Sequence, residues 1–222
     1  MENLRPNADR AQQTIIFLWI IVGMNILSVL SSYMQYNMLT SGDFSAEAAD
    51  MNDLRESVLG ILHLIIIIIT AVVFIRWFRR AYYNLHLVVP NKMEHSEGWA
   101  AGAWFVPFLN LVRPYTIMKE IWLETQRNGA NKARVEPADL VGWWWAFFIL
   151  RGVMDNIASR VTLSAEDISG FETASILHIV SAAISIPAAL LAIQVVKKVS
   201  EFEKTLTRED GEVDILEHLV EV

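Results

Sequence analysis

Residues 98–115 read GWAAGAWFVPFLNLVRPY, and whether this stretch crosses a bilayer decides how the rest of the chain is arranged. Gly98 to Val112 is a run of 15 uncharged residues between Glu97 and Arg113, interrupted by Pro107 and followed by Pro114. A helix needs about 20 apolar residues to cross a hydrocarbon core about 30 Å thick, so the run is short for a crossing and fits a re-entrant or interfacial segment. As a helix from Gly98 to Asn110 it would extend about 20 Å, enough to dip in and return. Gly98, Ala101 and Gly102 give it a small face for close helix contact. Asn110 to Pro114 then turns the chain, with Pro114 suited to a helix's first position. From Tyr115 to Arg127, Tyr115, Met118, Ile121 and Trp122 share one face while Lys119, Glu120 and Glu124 do not, which predicts an amphipathic helix lying on the cytoplasmic membrane surface.

The flanking sequence is greasier than a water-soluble domain. Of 222 residues, 54% are hydrophobic and 19% charged, with a mean hydropathy of +0.34; soluble domains carry roughly 45–50% apolar and about 25% charged residues. The 18 Lys and Arg against 25 Asp and Glu leave a net charge of −7, which excludes nucleic acid as a partner. With no cysteine there is no disulfide framework, thiolate metal site or cysteine nucleophile. The expectation is an all-α integral membrane protein in contact with the lipid bilayer.

Three uncharged runs are long enough to cross. Their apolar hearts are 14–34, 57–76 and 173–196, the second containing five consecutive isoleucines from Ile65 to Ile69. A fourth crossing is expected over 139–163, where Pro137 and Asp139 suit a helix start, although Arg151 and Asp155 interrupt the apolar text. Charge distribution decides between four and five crossings, because short cytoplasmic loops are rich in Lys and Arg. The segments 35–56 and 159–172, read as loops, hold one basic residue each, Arg55 and Arg160, whereas nine lie between Arg76 and Asp139. Were 98–112 to cross, Arg127, Lys132 and Arg134 would lie opposite Arg79 and Arg80. Four crossings keep all basic clusters on one side. The expected fold is therefore a single membrane domain over 1–222, a four-helix bundle with a re-entrant segment between spans 2 and 3. It carries an interfacial insert over 79–137, an acidic tail over 199–222 and both termini in the cytoplasm. The N-terminal apolar stretch is expected to be an anchor rather than a cleaved leader.

The chain also divides into two similar halves. Residues 19–25 (WIIVGMN) align with 145–151 (WAFFILR), and Ile61-Leu62-His63 recurs as Ile176-Leu177-His178. A parallel internal repeat would enter from the cytoplasm twice.

Three blocks, in order, carry a family resemblance. The first runs from Phe74 through Trp77 and Arg80 to Asn84. The second is the quoted stretch, with Gly98, Trp99, Gly102, Trp104, Pro107, Asn110, Pro114 and Tyr115 in place. The third is Trp143-Trp144-Trp145. The pattern resembles a bacterial family of multi-pass membrane proteins, domain of unknown function 4328. The resemblance implies a bacterial cytoplasmic-membrane protein and supplies no activity.

Counting at 1.5 Å per residue places Arg151, His63 and Asn25 about 17–20 Å from the cytoplasmic boundary. Asp155 is one turn beyond Arg151, and His178 is about 28 Å out. Arg151 and Asp155 are four apart on one helix and are expected to pair. Charged groups at such depth face the bundle interior and mark a functional-site hypothesis. Three readings compete for this cluster: a closed polar network that fixes helix register, a transport or proton-coupled site, and a haem held by His63 and His178. The unequal depth of the two histidines weighs against haem, and no other cofactor is expected.

No catalytic motif is present (no G-x-S-x-G, H-E-x-x-H, P-loop or dinucleotide turn), so neither catalytic nor metal-binding residues are assigned. The leading expectation is a non-enzymatic structural or regulatory component. It would assemble with itself or with another membrane or cytoplasmic protein through a collar of Trp99, Trp104, Pro107, Asn110, Arg113, Pro114, Tyr115 and Trp122. The alternative is a small transporter or channel using Asn25, His63, Arg151, Asp155 and His178. In the tail, Val213, Leu216 and Val220 form a narrow apolar stripe.

Overall fold

The computed structural model describes residues 4–129 and 135–206. Lys132, Arg134, Arg208 and the Val213/Leu216/Val220 stripe lie outside the described residues. The described chain is helical: α1 Ala8–Ser41, α2 Ala46–Val88, α3 Trp99–Gly102, α4 Arg113–Arg127, α5 Asp139–Ser164 and α6 Ile168–Glu203. Three of these, α1, α2 and α6, are long and apolar enough to cross a membrane. Helix α5 is not among them, because Arg151 and Asp155 interrupt its apolar run.

The helices outrun the apolar hearts. The expected loop 35–56 is helical except for 42–45, where Gly42 adopts φ +65 and Ser45 Oγ accepts the Ala48 N–H at 3.1 Å as an N-cap. The expected loop 159–172 shrinks to 165–167, and Asp167 Oδ1 accepts the Gly170 N–H at 2.8 Å. Both turns thus start a helix from a polar cap whose side chain satisfies the third amide of the helix.

Two compact units make up the fold. The first comprises 1–15, 72–142 and 194–222; the second comprises 16–71 and 143–193. The first unit holds all the largest fully buried side chains, among them Trp77, Phe78, Tyr82, Leu85, Ile117, Met118, Ile121, Trp122, Val195 and Val199. In the second unit the buried residues are mostly small or polar (Asn25, Ser31, Ser32, Ala158, Ala174, Ser175, Ser181, Ala182, Ser185), while Ile16, Trp19, Leu30, Ile61, Leu64, Ile68, Val153 and Ile176 are exposed. Small residues inside and large apolar ones outside is the arrangement of helices that pack against each other in lipid.

The quoted stretch departs from its expected form. Gly98–Asn110 is not one helix: α3 makes a single turn, the chain passes through turns, and Leu109–Leu111 forms a short 3-10 helix before α4. Pro107 removes an amide donor, and Phe108 has φ 64, outside the right-handed helical region. Helix α4 also differs from expectation. Its apolar face is not left for lipid, since Ile117, Met118, Ile121 and Trp122 are buried within the first unit.

Candidate functional site

Helix α1 brings Asn25, α2 His63, α5 Arg151 and Asp155, and α6 His178 to the wall of one cavity of about 680 Å³ in the second unit. Ser31, Glu56, Thr162, Ser181 and Ser185 complete much of its polar lining. The i,i+4 spacing on α5 sets Arg151 Nε 3.3 Å from Asp155 Oδ2. Asp155 Oδ1 also accepts a short hydrogen bond from Ser181 Oγ, which ties α5 to α6. Two turns further along α5, Thr162 Oγ1 lies 2.9 Å from His178 Nε2. Between α1 and α2, Ser31 Oγ donates to Glu56 Oε1 at 2.6 Å while Arg55 Nε donates to Ser31 Oγ at 2.9 Å.

This network is not closed. Among the described residues, Asn25 Nδ2 and His63 Nε2 are buried and make no hydrogen bond, and the buried Arg151 Nε has only its ion pair with Asp155. A polar network that existed only to fix helix register would satisfy its own buried donors and acceptors, because an unmet one costs about 1–3 kcal/mol. Asp53, Glu56 and Asp155 against Arg151 give the lining an acidic excess. Among the described residues, no group of three or more His, Asp or Glu is placed to hold a metal ion.

The serines were not among the sequence-derived site residues, although a signal for them exists. Ser181 and Ser185 are one turn apart in a run of small residues, and Ser28, Ser31 and Gln35 follow Asn25 at helical spacing. In a lipid-facing helix, that polar stripe marks the inward side.

The collar residues lie in the first unit, where Pro114 and Trp122 are buried, Trp99, Trp104, Asn110, Arg113 and Tyr115 are half-buried and Pro107 is exposed. Trp122 is 1% exposed and donates Nε1 to Glu136 O at 3.0 Å, with its ring edge-on to Phe202 at 5.2 Å. Trp104 packs edge-on against Phe74 and Phe78. The Arg113 guanidinium lies 3.7 Å from the Trp99 ring centre. Pro114 is buried in the first turn of α4, with Tyr115 half-buried beside it. Tyr82 joins three segments: its hydroxyl is 2.6 Å from Glu120 Oε2 and 2.9 Å from His95 O, and burial together with the Glu120 carboxylate holds the phenol well above its ordinary value. What the collar exposes is a short apolar knuckle, with Phe105 75%, Phe108 84%, Leu111 51% and Val112 57% accessible; Pro107 is exposed and Asn110 half-buried beside them.

Neither the curated proteins nor the solved structures contain a match to this chain. Residues 40–201 match a protein family, the domain of unknown function DUF4328. That match covers most of the chain, from the end of α1 almost to the end of α6, so the chain, a helical membrane protein, belongs to the DUF4328 family.

Proposed function

We propose that this protein is a small non-enzymatic carrier or channel whose site is the cavity lined by Asn25, His63, Arg151, Asp155 and His178. One observation carries the reading: two buried polar atoms without partners among the described residues, Asn25 Nδ2 and His63 Nε2, line a cavity beside the Arg151–Asp155 pair in a unit whose outward surface is apolar. Intramembrane ionisable groups characteristically mark solute and proton pathways. The repeat in the sequence adds support, because the aligned pairs Asn25/Arg151 and His63/His178 all line this cavity, as expected where two halves share a central site. The acidic excess favours protons or small cations over anions.

In this reading α5 is the fourth crossing. The helical stretches 16–41, 46–71, 143–164 and 168–193 are each about 33 Å or longer, sufficient for the hydrocarbon core. The first unit contains most of the Lys and Arg and is assigned to the cytoplasmic side of a bacterial inner membrane, with both termini. No cofactor belongs to the reading. A haem on His63 and His178 would require His178 to leave Thr162, and a Soret band abolished by His63→Ala would reinstate it.

Flux provides the test. Liposomes loaded with a pH-reporting dye, and parallel ones assayed for sodium and potassium, should leak faster with the protein than without. The excess should fall about ten-fold or more in Asp155→Asn. Equal leak of all three ions with and without protein would overturn the reading.

A second reading, assembly with another copy or another protein, keeps one observation in its favour: the exposed knuckle of Phe105, Phe108, Leu111 and Val112. Photocross-linking from position 108 would yield a protein adduct if this surface serves assembly, and lipid adducts alone if it does not.

A further inference from the structure

The first unit contains a second site, independent of the cavity above. The N-terminal segment is fastened to α2 by several hydrogen bonds. Arg5 N–H donates to Asn84 Oδ1 at 3.0 Å and Asn84 Nδ2 donates back to Arg5 O at 2.9 Å, while Thr14 Oγ1 reaches Val73 O at 3.3 Å. Between these ties Arg5 and Arg10 share the wall of an open cavity of about 400 Å³ with Arg76, Arg79 and Arg80. The Arg5 guanidinium rests 4.3 Å from the Tyr83 ring centre, and Arg10 Nη1 donates to Arg76 O at 3.0 Å. These contacts hold the two cations in place at the cavity wall.

Among the described residues the only carboxylate in the lining is Glu97, 3.1 Å from Arg79 Nε. Among the described residues Arg76 and Arg80 have no carboxylate partner. Arg10, Arg76, Arg79 and Arg80 against this one carboxylate leave three positive charges in excess around a concave space. Burial, and then Arg80, Arg76 and Arg79, push Arg10 below the ordinary arginine value. A guanidinium does not shed its proton in a protein, so the repulsion is relieved by a counter-anion rather than by deprotonation.

Two features select the anion. A tetrahedral oxyanion offers oxygens in several directions to guanidiniums arranged around it, whereas a carboxylate offers two in one plane. Arg76 directly follows the uncharged run 57–75, and Arg10 directly precedes the run that starts at Ala11. Both therefore sit at the edge of apolar sequence, the level at which a bilayer presents headgroup phosphates. We propose that this cavity is a phosphate-oxyanion site, filled at this depth by the phosphate of an anionic phospholipid headgroup.

The test uses the full-length protein in a neutral detergent, titrated separately with short-chain phosphatidylglycerol, short-chain phosphatidylcholine and inorganic phosphate. Chloride balances ionic strength, and bound ligand is read by native mass spectrometry. Phosphatidylglycerol should bind saturably and at least about ten-fold tighter than phosphatidylcholine. Arg76→Gln/Arg80→Gln should weaken it by about ten-fold or more, and Arg76→Lys/Arg80→Lys by less. Saturable inorganic phosphate binding with no preference between the lipids keeps the oxyanion site but overturns the headgroup as its source. No saturable binding of any of the three by the wild-type protein overturns the proposal, as does unchanged binding in the glutamine variant. Should that variant fail to fold, the wild-type panel and the lysine variant decide alone.

Discussion

Trp77 and Trp19 are the same residue under opposite rules. Trp77, in the first unit, is fully buried among aromatic and aliphatic side chains; Trp19, in the second, is 50% exposed. The contrast extends to whole units. Among the described residues the first hides most of its large apolar groups and exposes, besides Val72, a knuckle at 105–112, as a protein folded in water does. The second buries mostly serine, alanine and asparagine beside a few large groups such as Leu18, Ile21 and Trp144, and turns many of its isoleucines and leucines outward. Burial of large apolar groups is favourable only where the alternative is water. In lipid that driving force is absent, and close packing of small residues with interhelical hydrogen bonds takes its place. One chain thus follows two solvents' rules within the same long helices.

The largest expected effect sets the two tryptophans against each other. Trp77→Ala should destabilise the protein by about 3–5 kcal/mol, through lost burial and the cavity left behind. Trp19→Ala should cost about 0.5 kcal/mol or less, as a surface change does. Unfolding in mixed micelles, followed by tryptophan fluorescence and circular dichroism, measures both. Similar losses would remove the distinction between the units.

A smaller effect sharpens the water-like character of the first unit. Asn7 Nδ2 donates to both carboxylate oxygens of Glu203, at 3.1 and 3.0 Å, and burial outweighs these bonds to push the Glu203 carboxyl up to about 7. An unfolded glutamate titrates near about 4.3. The folded state therefore holds its proton to higher pH than the unfolded state. The associated stability is fully present below about pH 4.3 and is lost as the pH rises through about 7. Glu203→Gln should flatten this part of the profile and leave the protein about 1–3 kcal/mol more stable at pH 8. A variant with the wild-type slope between pH 5 and 8 would show that Glu203 is not the titrating group.

The smallest effect belongs to the second unit. Arg151→Leu alone strands Asp155 beside Ser181, whereas Arg151→Leu/Asp155→Leu removes both charges. The single variant should be the less stable of the two by about 1–2 kcal/mol, a modest gap because the Asp155 side chain is 47% exposed in the cavity wall. Indistinguishable unfolding of the two would break the pair.

The apolar hearts of α1, α2 and α6 were legible in the sequence, because uncharged length alone marks a stretch that can cross lipid. Their ends were not. Residues such as Asn52, Arg55 and Glu56 look like loop in isolation, yet they are helical: Arg55 and Glu56 meet Ser31 on the neighbouring helix, and Asn52 Oδ1 accepts from Arg55. The face of α4 was legible but its destination was not: periodicity gives the apolar side, and tertiary packing alone decides whether protein or lipid covers it. Charge and histidine counting selected Asn25, His63, Arg151, Asp155 and His178 but passed over the serines that share their cavity, since a hydroxyl barely changes hydropathy. The arginine cluster was half legible. Arg76, Arg79 and Arg80 stand together in sequence, whereas Arg5 and Arg10 join them through tertiary contacts with Asn84, Tyr83 and Arg76 O.

The absence of cysteine from the chain makes the sidedness of the two units directly measurable. Single cysteines at Arg79, Lys119, Asp43 and Glu166 can be treated with an impermeant maleimide in intact and permeabilised cells. Positions 79 and 119 should react only after permeabilisation, and 43 and 166 before it. Labelling of 79 and 119 from opposite sides would mean that 98–112 crosses the membrane, and the assignment of the first unit to the cytoplasm would be wrong.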